Sequence, residues 1–171
     1  MAVIETERLR LEPVKLSDAA FIYELQNSPK WLRYIGDRNI SSIAVAEKYI
    51  ADKMLSHYKE HAYGNCVVYN KETAAPMGTC GLFNRPGLAV VDIGFAFLPQ
   101  YEGKGFGSEA ALALMDHAQN NLKLHKVSAI VLPENKASVR LIEKLGLEFV
   151  KPVQLPGDTA WLDYYEITLN E

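Results

Sequence analysis

The sequence predicts a mixed α/β fold in which a central, mostly antiparallel sheet of six to seven strands is flanked by about four helices. Two patterns support this prediction: short segments alternate apolar and polar residues like half-buried strands, and longer segments space apolar residues like helices. The chain has 171 residues, of which 49% are hydrophobic, so it can bury the core of one domain. We expect that domain to span residues 1–171.

The first third of the chain is predicted to contain one strand and two helices. Alternating residues around 9–11 predict the strand. A serine-capped helix is predicted over 17–28, where Pro29 ends it, and a second serine-capped helix within 41–64. The segment 31–39 between the two helices shows no periodicity.

Three antiparallel strands are predicted next, over about 65–70, 77–83 and 89–98. These segments are rich in Val, Phe and Tyr and are separated by turn residues. A glycine-rich loop, Gly103–Gly107, then leads into a helix. The apolar face of that helix is formed by Ala110, Ala111, Leu114, Met115, Ala118 and Leu122.

The last third of the chain is predicted to complete the sheet. Its pattern indicates a short apolar strand over 127–132 and a helix over 135–145. Strands over 147–150 and 161–169 would then form a closing hairpin around the loop 152–159.

Composition and charge exclude several classes of function. Eighteen Lys and Arg against 21 Asp and Glu give a net charge of −3, so we expect no nucleic-acid partner held by phosphate neutralisation. The longest stretch without these charged residues, 73–84, is interrupted by Pro76 and is too short to span a membrane. Residues 1–10 lack the apolar run of a secretory signal, which predicts a cytoplasmic protein.

Two cysteines and two histidines are interpreted as structural residues. Cys66 and Cys80 show no C-x-x-C pattern, so we interpret both as small apolar residues without a disulfide. His57 and His61 have the i, i+4 spacing of a helical metal pair, but they do not form H-E-x-x-H and no third ligand is evident. We therefore predict no metal site.

The segment Leu98–Glu109 is the most informative part of the sequence. The glycines of Gly103–Gly107 let the backbone turn tightly and bring successive N–H groups to the positive end of the following helix, an arrangement that binds phosphate or pyrophosphate. The dinucleotide fingerprint G-x-G-x-x-G is not matched, because Ser108 stands at its last position, and Lys104 is misplaced for a Walker A loop. A strand-to-helix turn that holds no ligand stays open as an alternative.

The pattern Gln100-x-x-Gly103-x-Gly105 resembles the Q/R-x-x-G-x-G/A signature of the GNAT acetyltransferase superfamily, whose loop holds the pyrophosphate of acetyl-coenzyme A. Four other segments are similar to the RimJ/RimL-like branch, which acetylates protein N-termini among other amines: Thr6–Leu9, Asp92–Phe95, Ser108–Ala110 and Asn135–Gly146. The likeness extends over nearly the whole chain. It implies a GNAT-like fold and an acetyl-CoA-dependent N-acetyltransferase that uses no metal.

The resemblance also implies where acetyl-coenzyme A, with about four negative charges near pH 7, would bind. The loop amides and Lys104 supply positive potential, and Lys136, Arg140 and Lys144 form a basic stripe that suits an outer phosphate or else simply faces solvent. Pantetheine would pair with the strand edge before the loop. The predicted cofactor-binding residues are Phe95, Ala96, Phe97, Leu98, Gln100, Glu102, Gly103, Lys104, Gly105, Phe106, Gly107, Ser108, Asn135, Ser138 and Lys144.

Catalytic residues follow from the same resemblance. Asp92 occupies the place of an acidic residue found in many members and could accept the ammonium proton through water, although it could also be an ordinary strand aspartate. Many relatives protonate the departing thiolate with a tyrosine seven residues after the helix asparagine, but that position is Ile142 here. Ser138 and Tyr164 are the candidate substitutes, and a strand N–H near Phe95 would polarise the carbonyl.

A protein N-terminal α-amine is the predicted acceptor, because an amine of pKa about 8 is partly neutral near neutral pH, whereas a lysine amine of pKa about 10.4 is not. A small amine such as an amino acid, polyamine or aminoglycoside is the second choice. Trp31 and Tyr34 are predicted to line the acceptor cleft, unless they are core residues. A non-catalytic coenzyme A sensor and a nicotinamide-dependent oxidoreductase are the alternatives from other classes. A homodimer is compatible with the sequence.

Overall fold

One eight-stranded sheet runs through residues 1–169, the part of the chain that this computed structural model describes. Its strands are β1 Ile4–Glu5, β2 Leu9–Pro13, β3 Asn65–Asn70, β4 Pro76–Phe83, β5 Asp92–Phe97, β6 Lys126–Val131, β7 Glu148–Val153 and β8 Leu162–Thr168. Their spatial order is β1-β2-β3-β4-β5-β6-β8-β7, and only β5 and β6 run parallel. The predicted domain, 1–171, includes residues 170 and 171, which lie outside the described part.

Helices connect the strands on both faces of the sheet. Those of the described part are α1 Ala19–Gln26, α2 Pro29–Tyr34, α3 Ile43–Tyr49, α4 Ser56–His61, α5 Phe106–Asn120 and α6 Lys136–Lys144. A π-helical stretch, Ile50–Leu55, joins α3 to α4, and single 3₁₀ turns lie at Leu16–Asp18 and Pro99–Tyr101.

The two faces of the sheet bury two separate hydrophobic cores. On one face α5 and α6 pack through residues such as Leu114 and Ile142. On the other face α1, α3 and the π-helical stretch pack through residues such as Ile22 and Ile50. Each core is built from the apolar stripe of its helices, so the helical spacing in the sequence decides which side chains are buried.

Alternation along β5 assigns its side chains to these two cores. Ile93, Phe95 and Phe97 pack in the core under α5, whereas Ala96 packs in the core of the early helices. Because successive side chains of a strand point to opposite faces, Asp92 lies on the same face as Ala96. Asp92 therefore faces the early helices.

β5 and β6 separate after a single paired position. Asp92 is opposite Ser128, and the Ser128 N–H donates to the Val91 carbonyl at 2.8 Å. In the described residues no later position of β5 is paired with β6, although β5 continues to Phe97. The sheet therefore opens between its two central strands.

The predicted mixed α/β class is confirmed, and the middle strands lie within a residue or three of their predicted bounds. The sheet has eight strands, not six or seven, because β1 is a two-residue strand too short to show a period. The helix predicted within 41–64 is present as α3, the π-helical stretch and α4.

The structure adds to the sequence analysis near one proline and corrects it near another. Segment 31–39 shows no periodicity, yet α2 includes residues 31–34, because Pro29 pre-sets φ at the first position of this helix. The loop 152–159 was expected to begin at Pro152, but β7 continues to Val153. β7 is an edge strand, where a proline without an N–H removes no essential hydrogen bond.

Cys66 and Cys80 face each other across β3 and β4, are fully buried and form no disulfide. Their burial agrees with their interpretation as apolar residues. No helix in the described part of the chain is long and apolar enough to cross a membrane.

Candidate active site

A cavity of about 760 Å³ lies beside the opening between β5 and β6. Residues 92–96 of β5 form its floor, and residues of α1, α2 and the segment up to His57 form one wall. The start of α6 and the 155–162 loop form the opposite wall. Small-molecule sites usually enclose about 300–1,000 Å³, so this cavity can hold a substrate.

Asp92 is fully buried in the floor of this cavity. Its Oδ2 accepts a hydrogen bond from Nε of Arg85 at 2.5 Å, whereas its Oδ1 has no partner among the described residues. Burial raises the pKa of Asp92 to about 6, against the opposing charge and hydrogen bond of Arg85 and a smaller effect of the nearby Ile130 backbone N–H. A carboxylate with this pKa can accept a proton near neutral pH and release it to water.

The backbone of β5 presents donors to the opening between the strands. The Leu98 N–H donates to the Met77 carbonyl of β4 at 2.9 Å. Since peptide groups of a strand alternate sides, the N–H groups of Phe95 and Phe97 point away from β4 and toward β6. Both groups lie on the part of β5 that β6 does not pair, where an extended amide chain could add as a strand.

The glycine loop turns the chain from β5 into α5. Gly103 and Gly105 have φ values of +71° and +80°, a conformation that costs other residues about 1–2 kcal/mol. A Cβ at position 103 would meet no atom within 4 Å, so the loop backbone is uncovered there. The first N–H groups of α5, from Phe106 onward, have no acceptor within the helix. This arrangement fits a diphosphate.

Arg8, the residue just before β2, holds this loop in place. Its guanidinium lies 4.5 Å from the ring centroid of Phe106, and its Nη1 donates to the Lys104 carbonyl at 3.0 Å. Its Nε donates to Oε2 of Glu109 at 2.6 Å, and the Thr6 hydroxyl donates to Oε1 at 2.5 Å. Sequence reasoning missed this role, because no local spacing relates positions about a hundred residues apart.

Glu109 lies in the first turn of α5 and is ionised in this network. Burial opposes its charge, but the hydrogen bonds from Thr6 and Arg8 outweigh that effect and hold the pKa of Glu109 below its usual value. The carboxylate also lies at the positive end of the helix, where a negative charge is favourable.

Other predicted loop residues are held by local contacts. Lys104 Nζ donates to the Gln100 carbonyl at 2.9 Å, and Glu102 forms an ion pair with Lys30 of α2. Lys144 Nζ donates to the Ser108 hydroxyl at 3.4 Å, so the end of α6 lies beside the start of α5. The ion pair of Lys30 with Glu102 therefore links α2 to the glycine loop.

Asn135 caps the N-terminus of α6, where its Oδ1 accepts from the Ser138 N–H at 3.4 Å. Both residues line the cavity, and so does the apolar side chain of Ile142. The other two members of the basic stripe, Lys136 and Arg140, are exposed on this helix.

Tyr164 lies in β8 on the far side of β6 from β5 and is not among the residues that line the cavity. Its hydroxyl donates to Oε2 of Glu166 at 2.7 Å. Burial and this carboxylate raise the pKa of Tyr164 to about 12.

Trp31 and Tyr34 both line the cavity wall that is formed by α1, α2 and the segment up to His57. We call it the acceptor wall, because these two residues are the ones predicted to line the acceptor cleft. Gln26 lies in the same wall and is 2% exposed. Gln26 Oε1 and Trp31 Nε1 are buried and have no hydrogen-bond partner in the described part. Gln26 carried no signal in the sequence, because a single polar residue in an amphipathic helix is ordinary.

His57 lines the cavity as a neutral side chain. Its Nε2 accepts the Asn84 N–H at 3.1 Å, so Nδ1 carries the proton and donates to the Tyr63 carbonyl at 2.8 Å. Burial lowers the pKa of His57. Neither ring nitrogen is free to bind a metal, and the described residues contain no group of three or more side chains suited to one.

These features define a class of protein: a split sheet whose strand leads into a glycine loop at a helix N-terminus, beside a cavity with a buried carboxylate. The family model for the acetyltransferase (GNAT) domain matches residues 8–148 of the chain. The chain belongs to the GNAT acetyltransferase family and is an acyl-CoA-dependent N-acetyltransferase.

Relatives and solved structures agree with this assignment. The chain is 31% identical over 153 residues to an uncharacterized N-acetyltransferase, p20, of Bacillus licheniformis, covering 86% of this chain and 83% of p20. It is 26% identical to the uncharacterized N-acetyltransferase YnaD of Bacillus subtilis, covering 98% and 97%. A GNAT-family acetyltransferase from Bacillus anthracis has a similar structure, with a TM-score of 0.80 at 25% identity and 98% of each chain covered.

Two more distant matches have named acceptors. A spermidine N(1)-acetyltransferase of Escherichia coli is 25% identical over 139 residues, covering 81% of this chain and 72% of that protein. A ribosomal-protein-S5-alanine acetyltransferase from Vibrio fischeri shares the fold, with a TM-score of 0.80 at 18% identity, covering 98% of this chain and 97% of that one.

Proposed function

We propose that this protein transfers an acetyl group from acetyl-CoA to a protein N-terminal α-amine by direct attack, as a member of the RimJ/RimL-like branch. The observation that carries the proposal is Asp92, a fully buried carboxylate in the cavity floor with one unpartnered oxygen. Bound acetyl-CoA supplies an acetyl thioester, the acyl donor that a neutral amine can attack.

The pKa of the acceptor amine itself favours an α-amine. Transfer of a proton from an α-ammonium of pKa about 8 to a carboxylate of pKa about 6 is uphill by about 3 kcal/mol. From an alkylammonium of pKa about 10.4, as in lysine or a polyamine, the same transfer is uphill by about 6 kcal/mol. The difference favours the α-amine by about 3 kcal/mol.

Three parts of the chain would hold the cosubstrate. The amides of 103–108, together with Lys104, suit its diphosphate, and Lys144 lies close enough to Ser108 to add a positive charge. The peptide groups of Phe95 and Phe97 suit the amides of pantetheine. The Phe95 N–H would also stabilise the negative charge that develops on the acetyl oxygen.

Asp92 would accept the ammonium proton through a water molecule, since its Oδ1 is unpartnered and the cavity is open beside it. Ser138 is the better placed candidate for protonating the thiolate because it lines the cavity and Tyr164 does not. We therefore expect the substitution Ser138→Ala to slow turnover more than Tyr164→Phe.

Direct attack is supported by the state of the two cysteines. Burial raises the pKa of Cys66 to about 12 and raises that of Cys80 as well. Neither thiol lines the cavity. A covalent acetyl-cysteine intermediate would need a reactive, accessible thiolate, which these positions do not offer.

A small amine is the second candidate acceptor, and the likeness to a spermidine acetyltransferase is what favours it. The likeness to a ribosomal-protein-alanine acetyltransferase concerns the fold. The lower pKa of an α-amine, which makes its proton easier to remove by any base, decides our choice.

An acceptor panel tests the proposal. Lysine-free peptides with a free α-amine, the same peptides with a blocked N-terminus and one lysine, and spermidine are incubated with acetyl-CoA and read by mass. We expect the α-amine peptides to be acetylated. An equimolar amount of free thiol should be released from acetyl-CoA. Exclusive acetylation of lysine side chains or spermidine contradicts the proposal, and binding of acetyl-CoA without transfer to any amine supports a sensor instead.

The role of Asp92 is read from the pH profile of kcat/KM with an α-amine peptide. The logarithm of kcat/KM should rise with pH. Its slope should be near 2 below about pH 6 and near 1 between about pH 6 and pH 8. Asp92→Asn should lower kcat about a hundredfold and leave a slope near 1 throughout the acid range. Coenzyme A affinity, measured by calorimetry, serves as the control for folding.

A further inference from the structure

We infer that the acceptor carries a carboxylate close to its amine, and that Arg33, Arg38 and Lys53 recognise this carboxylate at the acceptor wall. The acceptor class is therefore an acidic N-terminal segment, with Asp or Glu in its first few positions. This inference rests on the proposed function and specifies which α-amines the site selects.

The three cations share one position and one property. All of them line the acceptor wall of the cavity and are exposed to solvent. None forms an ion pair with any residue in the described part, whereas most other cations near this region do, such as Lys30 with Glu102. Their charge is therefore available to a ligand.

The rest of the cavity does not neutralise this charge. Its basic lining residues are Arg33, Arg38, Lys53 and Arg85, and its acidic ones are Asp92 and Asp158. Arg85 and Asp92 form an ion pair with each other, and His57 is held in its neutral form. Among the lining residues of this wall an excess of positive charge therefore remains, although Asp37 and Asp52 lie next to it in the chain and the whole chain has a net charge of −3.

A second observation points to a ligand at the same wall. Gln26 is almost fully buried, and its Oε1 has no partner in the described part. Trp31 Nε1 is also buried and unpartnered, and both residues line the cavity. A buried polar group without a partner is costly, so one free acceptor and one free donor together indicate a polar ligand. The N–H and carbonyl of a peptide unit match this pair.

The charge of the wall also selects against polyamines. Spermidine carries about three positive charges at neutral pH, because its amines have pKa values near that of lysine. Placing it beside Arg33, Arg38 and Lys53 brings like charges together. An acidic peptide gains attraction at the same place, and its approach is steered by the local field.

Matched acceptors test the inference. Peptides that differ only in Asp, Asn or Lys at the second, third or fourth position are compared by kcat/KM, with alanine and alaninamide as the small-molecule pair. For the wild type we expect the Asp peptide to exceed the Asn peptide by about tenfold in at least one position, and the Lys peptide to be poorest. The alanine pair shows whether a free α-carboxylate serves equally well.

Charge reversal shows which residues are responsible. Arg33→Glu with Arg38→Glu should lower kcat/KM for the Asp peptide by about tenfold or more and raise it for the Lys peptide. Lys59→Glu is the matched control, because Lys59 is exposed on α4 and does not line the cavity. Each acceptor is compared between the variant and the wild type. The pKa of its amine affects both rates equally and therefore does not affect their ratio.

The outcomes separate this inference from the proposed function. The inference is overturned if the Asp and Asn peptides have equal kcat/KM. It is also overturned if the charge-reversed variant loses the same factor in kcat/KM for all peptides while its coenzyme A affinity is unchanged. Either result leaves α-amine transfer intact. If only small amines react, α-amine transfer to proteins fails, and the ratio of alanine to alaninamide then decides the charge preference. Absence of transfer to any amine overturns both.

Discussion

The burial of Asp92 lowers the stability of the fold and suits the proton-accepting role that we propose for it. A fully buried carboxylate loses its hydration, and the ion pair with Arg85 returns only part of that free energy, so its pKa is raised to about 6. The same shift makes it a better proton acceptor at neutral pH. Asp92 differs from a purely structural aspartate in two respects: one of its oxygens is unpartnered, and its side chain lies in the cavity floor.

We predict that the unfolding free energy of the wild type, relative to Asp92→Asn, falls as the pH rises from about 4 to about 6. The folded-state pKa of about 6 exceeds the usual 3.8, so the unfolded chain releases this proton first. The stabilising contribution is complete below about pH 4 and lost above about pH 6, with a full size of about 3 kcal/mol. Urea unfolding of both proteins at several pH values measures it.

Subtracting the two unfolding curves removes the titration of carboxylates that both proteins share. Glu72→Gln provides the control, because Glu72 is exposed in a loop. Its difference from the wild type should be flat with pH. A flat difference for Asp92→Asn as well would show that burial does not raise the pKa of this carboxyl.

Single residues of the site were predictable where a motif or a strand position marked them. The glycines of 103–107 and Asp92 belong to a recognisable local pattern. Arg85 and Gln26 do not, because each acquires its role only when distant segments meet at the cavity. A sequence shows such residues as ordinary polar positions in a loop or helix.

At the scale of elements, the glycine loop depends on β2 as well as on β5 and α5. Arg8 precedes β2 and links the Lys104 carbonyl, the Phe106 ring and the Glu109 carboxylate. These contacts fix the loop before any ligand arrives. A preorganised loop binds its ligand more tightly, because less backbone freedom is lost on binding.

We predict that Arg8→Ala raises the Kd for coenzyme A by about tenfold, because the loop amides lose a charge-assisted brace. The kcat at saturating acetyl-CoA should change little, since Arg8 does not line the cavity. Calorimetry and initial rates measure the two effects, and Arg8→Lys should restore only part of the affinity because a lysine cannot form the same set of contacts.

Arg10→Ala is the control for this variant. Arg10 lies in β2 two residues further on, pairs with Glu12 and lies 5.4 Å from the ring centroid of Tyr69, away from the loop. An equal loss of affinity in Arg8→Ala and Arg10→Ala would mean that the strand is generally weakened and that Arg8 has no specific role at the loop.

Helices and strands were predicted well where the apolar period extends over many residues. They were predicted poorly where tertiary contacts determine whether the element forms or where it ends. α5 and β3 follow their patterns, since each has a continuous buried stripe. α2 is six residues long with no buried member, so no period could reveal it. The end of β7 at Val153 depends on pairing with β8, which overrides the local signal of Pro152.

At the scale of the whole molecule, the separation of β5 and β6 organises the function. The peptide groups of β5 beyond Asp92 are left unpaired on the side that faces β6. Asp92 itself lies at the paired position, beneath the early helices. Sequence periodicity predicted the sheet but not its opening, because both strands show normal alternation.

The distribution of charged residues over the surface is also a property of the whole molecule. The chain has a net charge of −3, yet the acceptor wall is basic and the glycine loop presents a helix N-terminus. If the proposed function holds, each substrate has its own anion-binding region in a protein that is acidic overall. Composition alone could not separate them, because net charge contains no information on position.

The most direct test of the central claim is a crystal structure of the complex with coenzyme A. We expect the diphosphate to lie on the amides of residues 103–108, pantetheine to lie along Phe95–Phe97, and the sulfur to point into the cavity toward Asp92. A diphosphate bound elsewhere, or a thiol that points away from the opening between β5 and β6, would contradict the account.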